Sequence, residues 1–139
     1  MAQALRELMT PNPVILDAQA TVAEAAQQMR ERDVGDVLVQ QDGALCGIVT
    51  DRDLVVRCVA EKKDPRQQPL RDLCSQELAT LGPDASVDDA VELMRKRGIR
   101  RLPIVDGGAS LGIVSLGDLA KARDPQSALG QISAAPATR

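Results

Sequence analysis

The sequence predicts an α/β (α+β) protein made of two β-α-β-β-α repeats. The first observation is an internal duplication: residues 5–54 and 70–119 align without a gap at an offset of 65, and 17 of the 50 aligned positions are identical. The second is that strand and helix patterns follow the same order in both copies. The third is size, because a copy of about 50 residues is near the lower limit for an independent core. We therefore expect the two copies to share one core.

The first copy begins with an extended run at Pro13–Leu16, which predicts a strand. Thr21 and Glu24 then form a capping-box pattern, and apolar residues recur every three to four positions, so we predict a helix over 21–32. The remaining predicted elements are a strand at 37–39, a hairpin turn at 41–43, a strand at 45–49 and a helix from 51 to about 60.

The second copy repeats this order. Ser86 and Asp89 again form a capping box, and the apolar spacing predicts a helix over 86–97. Gly98 suits the left-handed position after that helix better than Asp33, its counterpart in the first copy. A strand at 102–105, a turn at 106–108, a strand at 111–114 and a helix at 116–123 follow.

These patterns divide the chain into four parts. The repeats cover 5–60 and 70–123, and a charged, proline-containing connector spans 61–69. The tail, 124–139, is rich in Ala, Ser, Pro and Gly without periodicity, so we expect it to be flexible.

Composition restricts the function. The chain has no His, which excludes Ser-His-Asp and Cys-His catalysis and His-ligated metals, and no enzyme activity is expected. It has no aromatic residue to stack on bases and a net charge of −3, so nucleic acid is not expected as a partner. With no apolar run long enough for a membrane span and no signal peptide, a cytoplasmic location is expected.

The three cysteines show no metal-knuckle spacing. Cys46, Cys58 and Cys74 contain no Cys-x-x-Cys pair, and we expect them to pack as small buried hydrophobes. A redox role stays open.

One motif occurs at equivalent places in both copies. Gly47-Ile-Val-Thr50-Asp-Arg-Asp53-Leu54 is matched by Gly112-Ile-Val-Ser115-Leu-Gly-Asp118-Leu119. Each predicts a strand that ends in a hydroxyl residue and turns directly into a helix. Two interpretations are open. In the first, the hydroxyl and the Asp serve only as a helix cap. In the second, the same groups, together with free helix amides, bind a phosphate and a ribose diol.

With this motif, the chain resembles a tandem pair of CBS domains (the cystathionine-β-synthase type, or Bateman module), in a stand-alone protein of bacterial type. The resemblance covers residues 5–123 and includes the opening Leu8-Met-Thr-Pro-Asn-Pro-Val14, the capped helix and the Gly43 hairpin. It implies copies paired by pseudo-twofold symmetry through their sheets, with helices outside. It also implies two clefts between the copies, each able to bind AMP, ADP, ATP or a related adenosyl ligand.

The family's binding residues map onto both copies. The ribose-binding aspartate corresponds to Asp53 and Asp118, and the hydroxyl contact to Thr50 and Ser115. The less specific base-contacting positions correspond to Val14, Ile15, Asp36, Val37, Ala79, Thr80, Arg101 and Leu102.

The two copies differ beside this motif. Arg100-Arg101 stands where the first copy has Gly35-Asp36, and Leu116-Gly117 where it has Asp51-Arg52. Arginines favour phosphates, and Arg52 could also reach one. We therefore expect unequal sites, with at most one binding a polyphosphate nucleotide tightly; the open alternative is that Arg100 and Arg101 are only surface charges. Mg²⁺ could accompany such a nucleotide, although no carboxylate cage is visible.

Two hypotheses follow for function. The first is a regulatory module that senses adenosyl nucleotides, requires no cofactor and acts on an unknown effector protein in trans. We expect it to form a homodimer through helices, with candidate contact residues at Leu54, Val55, Cys58, Leu119 and Ala120. The open alternative is that these residues pack within one chain. The second is a ligand-free, partner-binding scaffold whose Ser/Thr-x-x-Asp motifs are only caps.

Overall fold

The chain folds as an α/β protein with two three-stranded sheets, which confirms the predicted class. The computed structural model describes residues 3–74 and 78–135. In chain order its elements are β1 (Thr10–Pro11), β2 (Ile15–Asp17), α1 (Val22–Arg32), β3 (Asp36–Gln41), β4 (Ala44–Thr50), α2 (Asp51–Leu54), α3 (Val87–Arg97), β5 (Arg101–Asp106), β6 (Ala109–Ser115), α4 (Leu116–Arg123) and α5 (Ala128–Ala134). Helix α2 continues in π-helical form over Val55–Val59, so the predicted helix from 51 to about 60 is present with a widened second half.

Two compact units make up the structure, and their limits differ from those of the repeats. The first unit lies within Pro13–Leu78, and the second combines Met1–Asn12 with Ala79–Arg139. The first contains the sheet β2-β3-β4, in which β2 and β3 are parallel and β3 and β4 antiparallel. The second contains the sheet β1-β6-β5, which is antiparallel throughout.

The opening segment of each repeat packs in the unit formed by the other repeat. The amide of Leu5 donates to the carbonyl of Ala85 at 2.9 Å, and the Leu5 side chain is fully buried in the core of the second unit. Leu70 and Leu73, which open the second repeat, are fully buried in the core of the first unit. Within the described residues there are two clusters of buried residues, and each is completed by residues of the other repeat, so neither repeat builds its core from its own residues alone.

The two cores use equivalent positions of the repeats. Both contain the same helix face and the same strand positions, namely Val22, Ala25, Met29, Val39, Val49 and Leu54 in the first unit and Val87, Ala90, Met94, Ile104, Val114 and Leu119 in the second. Both predicted capping boxes at α1 and α3 are present, and both helices end in a left-handed residue, Asp33 (φ 54°) and Gly98 (φ 65°). Asp33 thus adopts the conformation for which we expected glycine to be better suited.

The first strand of the second repeat is shorter than predicted. Residues corresponding to β2 form only an isolated bridge between Leu81 and Ile104. In the first repeat the amide of Ala18 extends the pairing by donating to Gln40 at 2.8 Å. Its counterpart is Pro83, which has no amide to donate, so the pairing stops there.

The tail contains a helix where we expected flexibility. Ser127 caps α5 by accepting from the amide of Gly130 at 3.0 Å. A Cβ on Gly130 would lie 2.5 Å from the carbonyl oxygen of Asp124, and one on Gly117 would lie 2.6 Å from Ser133 Oγ, so small residues are required where α5 packs. The composition that indicated disorder is what permits this close approach. Residues 136–139 of the tail lie outside the described residues.

The connector also has a structural role. Carbonyls of Pro65 and Gln68 accept from the amides of Ala23 and Val22 at 2.9 and 3.0 Å, and so satisfy the first turn of α1. Among the helices within residues 3–74 and 78–135, none is long and apolar enough to span a membrane.

Candidate functional site

Two equivalent corners lie where a strand turns into a helix. The first corner consists of Thr50 and Asp53 at the junction of β4 and α2, and the second corner of Ser115 and Asp118 at the junction of β6 and α4. The backbone angles of the two hydroxyl residues are nearly identical, at φ −105°, ψ 165° for Thr50 and φ −106°, ψ 165° for Ser115. The duplicated motif therefore produces the same local structure twice.

Each corner contains a complete capping box. The aspartate Oδ2 accepts from the amide of the hydroxyl residue at 2.8 Å, and the hydroxyl oxygen accepts from the aspartate amide at 3.2 Å, with the same distances in both corners. The predicted cap role of Thr50, Asp53, Ser115 and Asp118 is thus confirmed. The cap uses one carboxylate oxygen of each aspartate, Oδ2.

The other carboxylate oxygen, Oδ1, faces a basic side chain on the same helix. Asp53 Oδ1 lies 3.8 Å from Arg57 Nε, and Asp118 Oδ1 lies 3.7 Å from Lys121 Nζ. These contacts are long for ion pairs, and the carboxylates are partly buried, with side-chain exposures of 24% and 13%. Each Oδ1 can therefore accept a further hydrogen bond, as from a hydroxyl of a cis-diol. Arg57 and Lys121 were missed in the sequence, although their spacing of four and three residues from the aspartate is the signal for such a pair.

Two other capping boxes within the described residues provide an internal contrast. Thr21 with Glu24, and Ser86 with Asp89, make the same pair of bonds at the starts of α1 and α3. Glu24 and Asp89 are exposed to solvent, whereas Asp53 and Asp118 are partly buried. The corners therefore differ from ordinary caps of the same protein in burial, and not in hydrogen-bond pattern.

The helix amides of the first corner are not free, contrary to the expectation for a phosphate site. The amide of Asp51 donates to the carbonyl of Gly35 at 3.0 Å, that of Arg52 to Asp51 Oδ1 at 2.8 Å, and that of Asp53 to Thr50. All three amides of the first turn thus have acceptors. The sequence could not show the Gly35 bond because it depends on strand register.

The second corner differs at the middle amide. The amide of Leu116 donates to the carbonyl of Arg100 at 2.9 Å, and that of Asp118 to Ser115. Leu116 and Gly117 are the counterparts of Asp51 and Arg52, and the Leu116 side chain has no oxygen that could accept a hydrogen bond. The bond from the Arg52 amide to the Asp51 side chain therefore has no equivalent in the second corner.

Strand register brings the diverged residues to the corners. Asp36 lies opposite Thr50 on β3 and β4, and Arg101 lies opposite Ser115 on β5 and β6. Asp36 and Arg101 both take part in other interactions. Arg100 and Arg52 are exposed. The sequence difference between the copies is therefore located directly beside the capped carboxylates.

The predicted base-contacting residues are divided between core and surface. Val14 and Val37 pack in the core of the first unit, with exposures of 8% and 0%, so they have only backbone atoms to offer a ligand. Ile15 is exposed, Ala79 is half-buried against the core of the second unit, and Thr80 is exposed. Of this set, Ile15 and Thr80 offer the most accessible side chains.

The candidate dimer residues are divided in a similar way. Leu54, Cys58 and Leu119 belong to the cores of their units, with exposures of 8%, 0% and 4%. Val55 is 58% exposed, and Ala120 is half-buried. Only these last two offer surface for an intermolecular contact.

A groove of about 510 Å³ lies between α3 and α4 in the second unit. Apolar side chains including Val91, Met94, Leu116 and Leu119 line it, together with Arg95, Arg100 and Arg123. Arg95 pairs with Glu92, and Arg123 with Asp88. Within the described part of the chain, no cluster of three or more His, Cys, Asp or Glu side chains could hold a metal ion.

Comparison with known proteins identifies the repeats. A profile of the CBS domain matches residues 5–59 and 70–124. The CBS domain-containing protein YhcV of Bacillus subtilis is 40% identical over 117 residues, which span 84% of this chain and 83% of that protein.

Two solved structures have the same fold. The hexameric CBS-CP12 protein from bloom-forming cyanobacteria has a TM-score of 0.80 and 29% identity, over 90% of this chain and 74% of that one. A crystal structure of Hypoxic Response Protein I with two coordinated zinc ions has a TM-score of 0.77 and 28% identity, over 86% of this chain and 98% of that one.

Proposed function

The chain belongs to the CBS-domain family, whose paired domains form regulatory modules and commonly bind adenosine ligands, and from this premise we propose that it senses an adenosyl nucleotide. AMP, ADP, ATP or a relative would bind with its ribose hydroxyls at Asp53 or Asp118. Thr50 and Ser115 position these carboxylates. The ligand state of the module would then act on an effector protein in trans.

The observation that carries this proposal is the second oxygen of each corner carboxylate. Capping uses Oδ2 alone, while Oδ1 is partly shielded from water and held only by a long contact to Arg57 or Lys121. A half-buried carboxylate oxygen with spare acceptor capacity forms a strong hydrogen bond with a hydroxyl donor. The exposed carboxylates of Glu24 and Asp89 share the cap but lack this shielding.

We further propose that the second corner is the site for a phosphorylated nucleotide. Arg101 beside Ser115 and the exposed Arg100 supply positive charge, whereas Asp36 beside Thr50 would repel phosphate. The amides at the start of α2 already have acceptors, so they offer a phosphate little. A di- or triphosphate would bring its own Mg²⁺.

Calorimetric titration of the full chain with AMP, ADP and ATP tests this proposal. Asp118→Asn should weaken binding of the phosphorylated nucleotide about ten- to a hundredfold, since one hydrogen bond to a charged acceptor is lost. Asp53→Asn should leave that affinity nearly unchanged. Two identical, independent sites, each lost with its own aspartate, would contradict the asymmetry.

A matched control separates binding from helix capping. Asp89→Asn alters the same capping bond at α3, where the carboxylate is exposed, so it should cost similar stability and leave nucleotide affinity intact. If AMP, ADP, ATP, NAD(H) and S-adenosylmethionine all leave the melting temperature unchanged, the proposal fails for those ligands, because a ligand that binds the folded state must stabilise it.

The proposed homodimer would use the helix surface of the first unit. Val55, Val56 and Val59 are 58%, 43% and 62% exposed on one π-helical segment. CBS domains oligomerise, and three neighbouring exposed valines favour an apolar contact there. Sedimentation velocity of Val59→Glu beside the unchanged chain measures this directly: an unchanged sedimentation coefficient would remove the segment from the interface.

A further inference from the structure

The groove between α3 and α4 in the second unit has a buried apolar floor and an exposed apolar rim. Met94 and Leu119 lie in the floor and are almost completely buried, whereas Val91 and Leu116 at the rim are 38% and 44% exposed. The volume of the groove, about 510 Å³, is typical of sites for small molecules. A ligand in the groove would therefore remove exposed apolar surface from water without a change in the core.

The two helices that form the groove place their opposite ends together. The amide of Leu116, at the start of α4, donates to the carbonyl of Arg100, just after the end of α3, at 2.9 Å. Arg123, at the end of α4, pairs with Asp88 near the start of α3. Arg100 and Arg123 both line the groove, so they mark its two ends.

The charge at these two ends differs. Asp88 balances the charge of Arg123, and Glu92 balances that of Arg95 along the side of the groove. Arg100 is exposed, and its guanidinium makes no ion pair or hydrogen bond within the described part of the chain. The groove thus has one unpaired cation at one end and a balanced ion pair at the other. This arrangement complements a ligand with a single anionic group and an apolar remainder.

The first repeat lacks the apolar rim and the unpaired cation at the equivalent positions. The counterparts of Val91, Arg100 and Leu116 are Ala26, Gly35 and Asp51. The floor, in contrast, is a methionine and a leucine in both repeats. Both cores require the floor, so folding accounts for it. Folding does not account for exposed apolar residues beside a cation in one repeat alone.

We propose that this groove binds a free long-chain carboxylate, with its carboxylate at Arg100 and its alkyl chain along the apolar floor towards Arg123. A guanidinium presents two parallel donors, which match the two oxygens of a carboxylate. The chain would cover the exposed parts of Val91 and Leu116. Because the ion pair at the far end is already balanced, the groove has a place for one anionic group. This favours a monoanion over a partner surface with several acidic side chains.

The groove site goes beyond the proposed nucleotide binding and does not depend on it. Arg100 also lies beside the second corner, so a nucleotide phosphate and the carboxylate would compete for one guanidinium. A titration without nucleotide therefore tests the groove alone. Its failure would leave the nucleotide titrations described above unaffected.

The test is calorimetric titration of the full chain with dodecanoate, below its micelle concentration and without nucleotide. We expect one saturable site per chain. Decanoate should bind about tenfold more weakly, because two methylenes fewer are removed from water. Dodecyltrimethylammonium, which has the same chain and the opposite charge, should not bind. Equal binding of both dodecyl compounds would mean non-specific adsorption to apolar surface and would overturn the proposal.

The first repeat supplies matched variants. Leu116→Asp inserts the residue of the first repeat at the rim and should abolish binding, because a carboxylate then faces the ligand's own carboxylate and chain. Arg100→Gln should weaken binding about tenfold, since a charge-assisted hydrogen bond is lost. Ala26→Asp makes the same change in net charge as Leu116→Asp, on the equivalent helix of the first unit, and should leave the dodecanoate affinity unchanged.

A second rim variant covers the case in which Leu116→Asp folds poorly. Val91→Ala only trims an exposed side chain to that of the first repeat, and it should weaken binding about threefold. Unchanged affinity in both rim variants, or no saturable binding to the unchanged chain, would overturn the proposal. If dodecanoate does not bind and Leu116→Asp sediments more slowly than the unchanged chain, the groove is instead a contact between copies of the chain.

Discussion

The first and second corners share a backbone and differ in what surrounds it. In the first corner, Thr50 Oγ1 lies 3.0 Å from Asp53 Oδ2, and Asp51 Oδ1 accepts a hydrogen bond from the amide of Arg52. Asp36 lies opposite Thr50 on the adjacent strand. In the second, Leu116 offers no side-chain acceptor, and Arg101 stands on the adjacent strand. A hydroxyl residue and an aspartate at equivalent positions therefore build each corner, and the neighbouring residues that differ determine its charge and its free donors.

The largest effect is expected from exchanging the charges beside the corners. Arg101→Asp places the first repeat's residue beside Ser115 and should weaken binding of ADP or ATP about tenfold or more, because a charge-assisted contact becomes a repulsion. Asp36→Arg should give the first corner affinity for the same nucleotide. Calorimetry measures both changes.

Lys96→Asp is the matched control for the charge exchange. It changes the net charge by the same amount as Arg101→Asp, on the exposed surface of α3. It should have little effect on affinity at moderate salt, where distant exposed charges are screened. If Lys96→Asp weakens binding as much as Arg101→Asp, the effect comes from overall charge, and the difference between the corners does not set specificity.

The next prediction concerns α5, the helix that follows the second repeat. Gly130→Ala forces a Cβ to within 2.5 Å of the Asp124 carbonyl oxygen and 3.0 Å of Pro125 Cα, both backbone atoms that cannot move aside cheaply. We expect a loss of about 1–3 kcal/mol in the stability of the α5 contact, as for other overpacked sites. Hydrogen exchange should show faster exchange in α5 with the first unit unchanged. Uniformly faster exchange would mean that α5 is not a locally stabilised element.

Local signals in the sequence predicted local structure well. Each of the four capping boxes, from Thr21 to Ser115, depends on residues three positions apart, and each formed as expected. It was harder to predict which side chains of a strand face the core. Residues 37–39 are all apolar, so no alternation shows which side chain meets the core, and Val37 proved to be fully buried.

Contacts between distant segments could not be predicted at all. Leu5 and Leu70 show no periodic pattern that assigns them to one unit or the other, and their exchange depends on packing. The loss of strand pairing at Pro83 could in principle be predicted from the sequence. A proline has no amide with which to continue the pairing that Ala18 makes in the first repeat. We expected the same strand in both copies because their sequences are so similar.

The smallest effect is expected at the ends of α1 and α3, where Asp33 and Gly98 adopt the same left-handed conformation. Nothing lies within 4 Å of a Cβ built on Gly98, so a substitution there costs only backbone strain at φ 65°. We expect Gly98→Ala to lower the free energy of unfolding by about 1 kcal/mol, and Gly98→Asp to lower it by less, because Asp tolerates the left-handed region better than Ala does. Urea unfolding with unchanged slope measures both. If Gly98→Asp lowers the free energy of unfolding as much as Gly98→Ala does, then tertiary contacts hold Asp33 in its left-handed conformation. The two helix ends would then share a backbone conformation that different interactions stabilise.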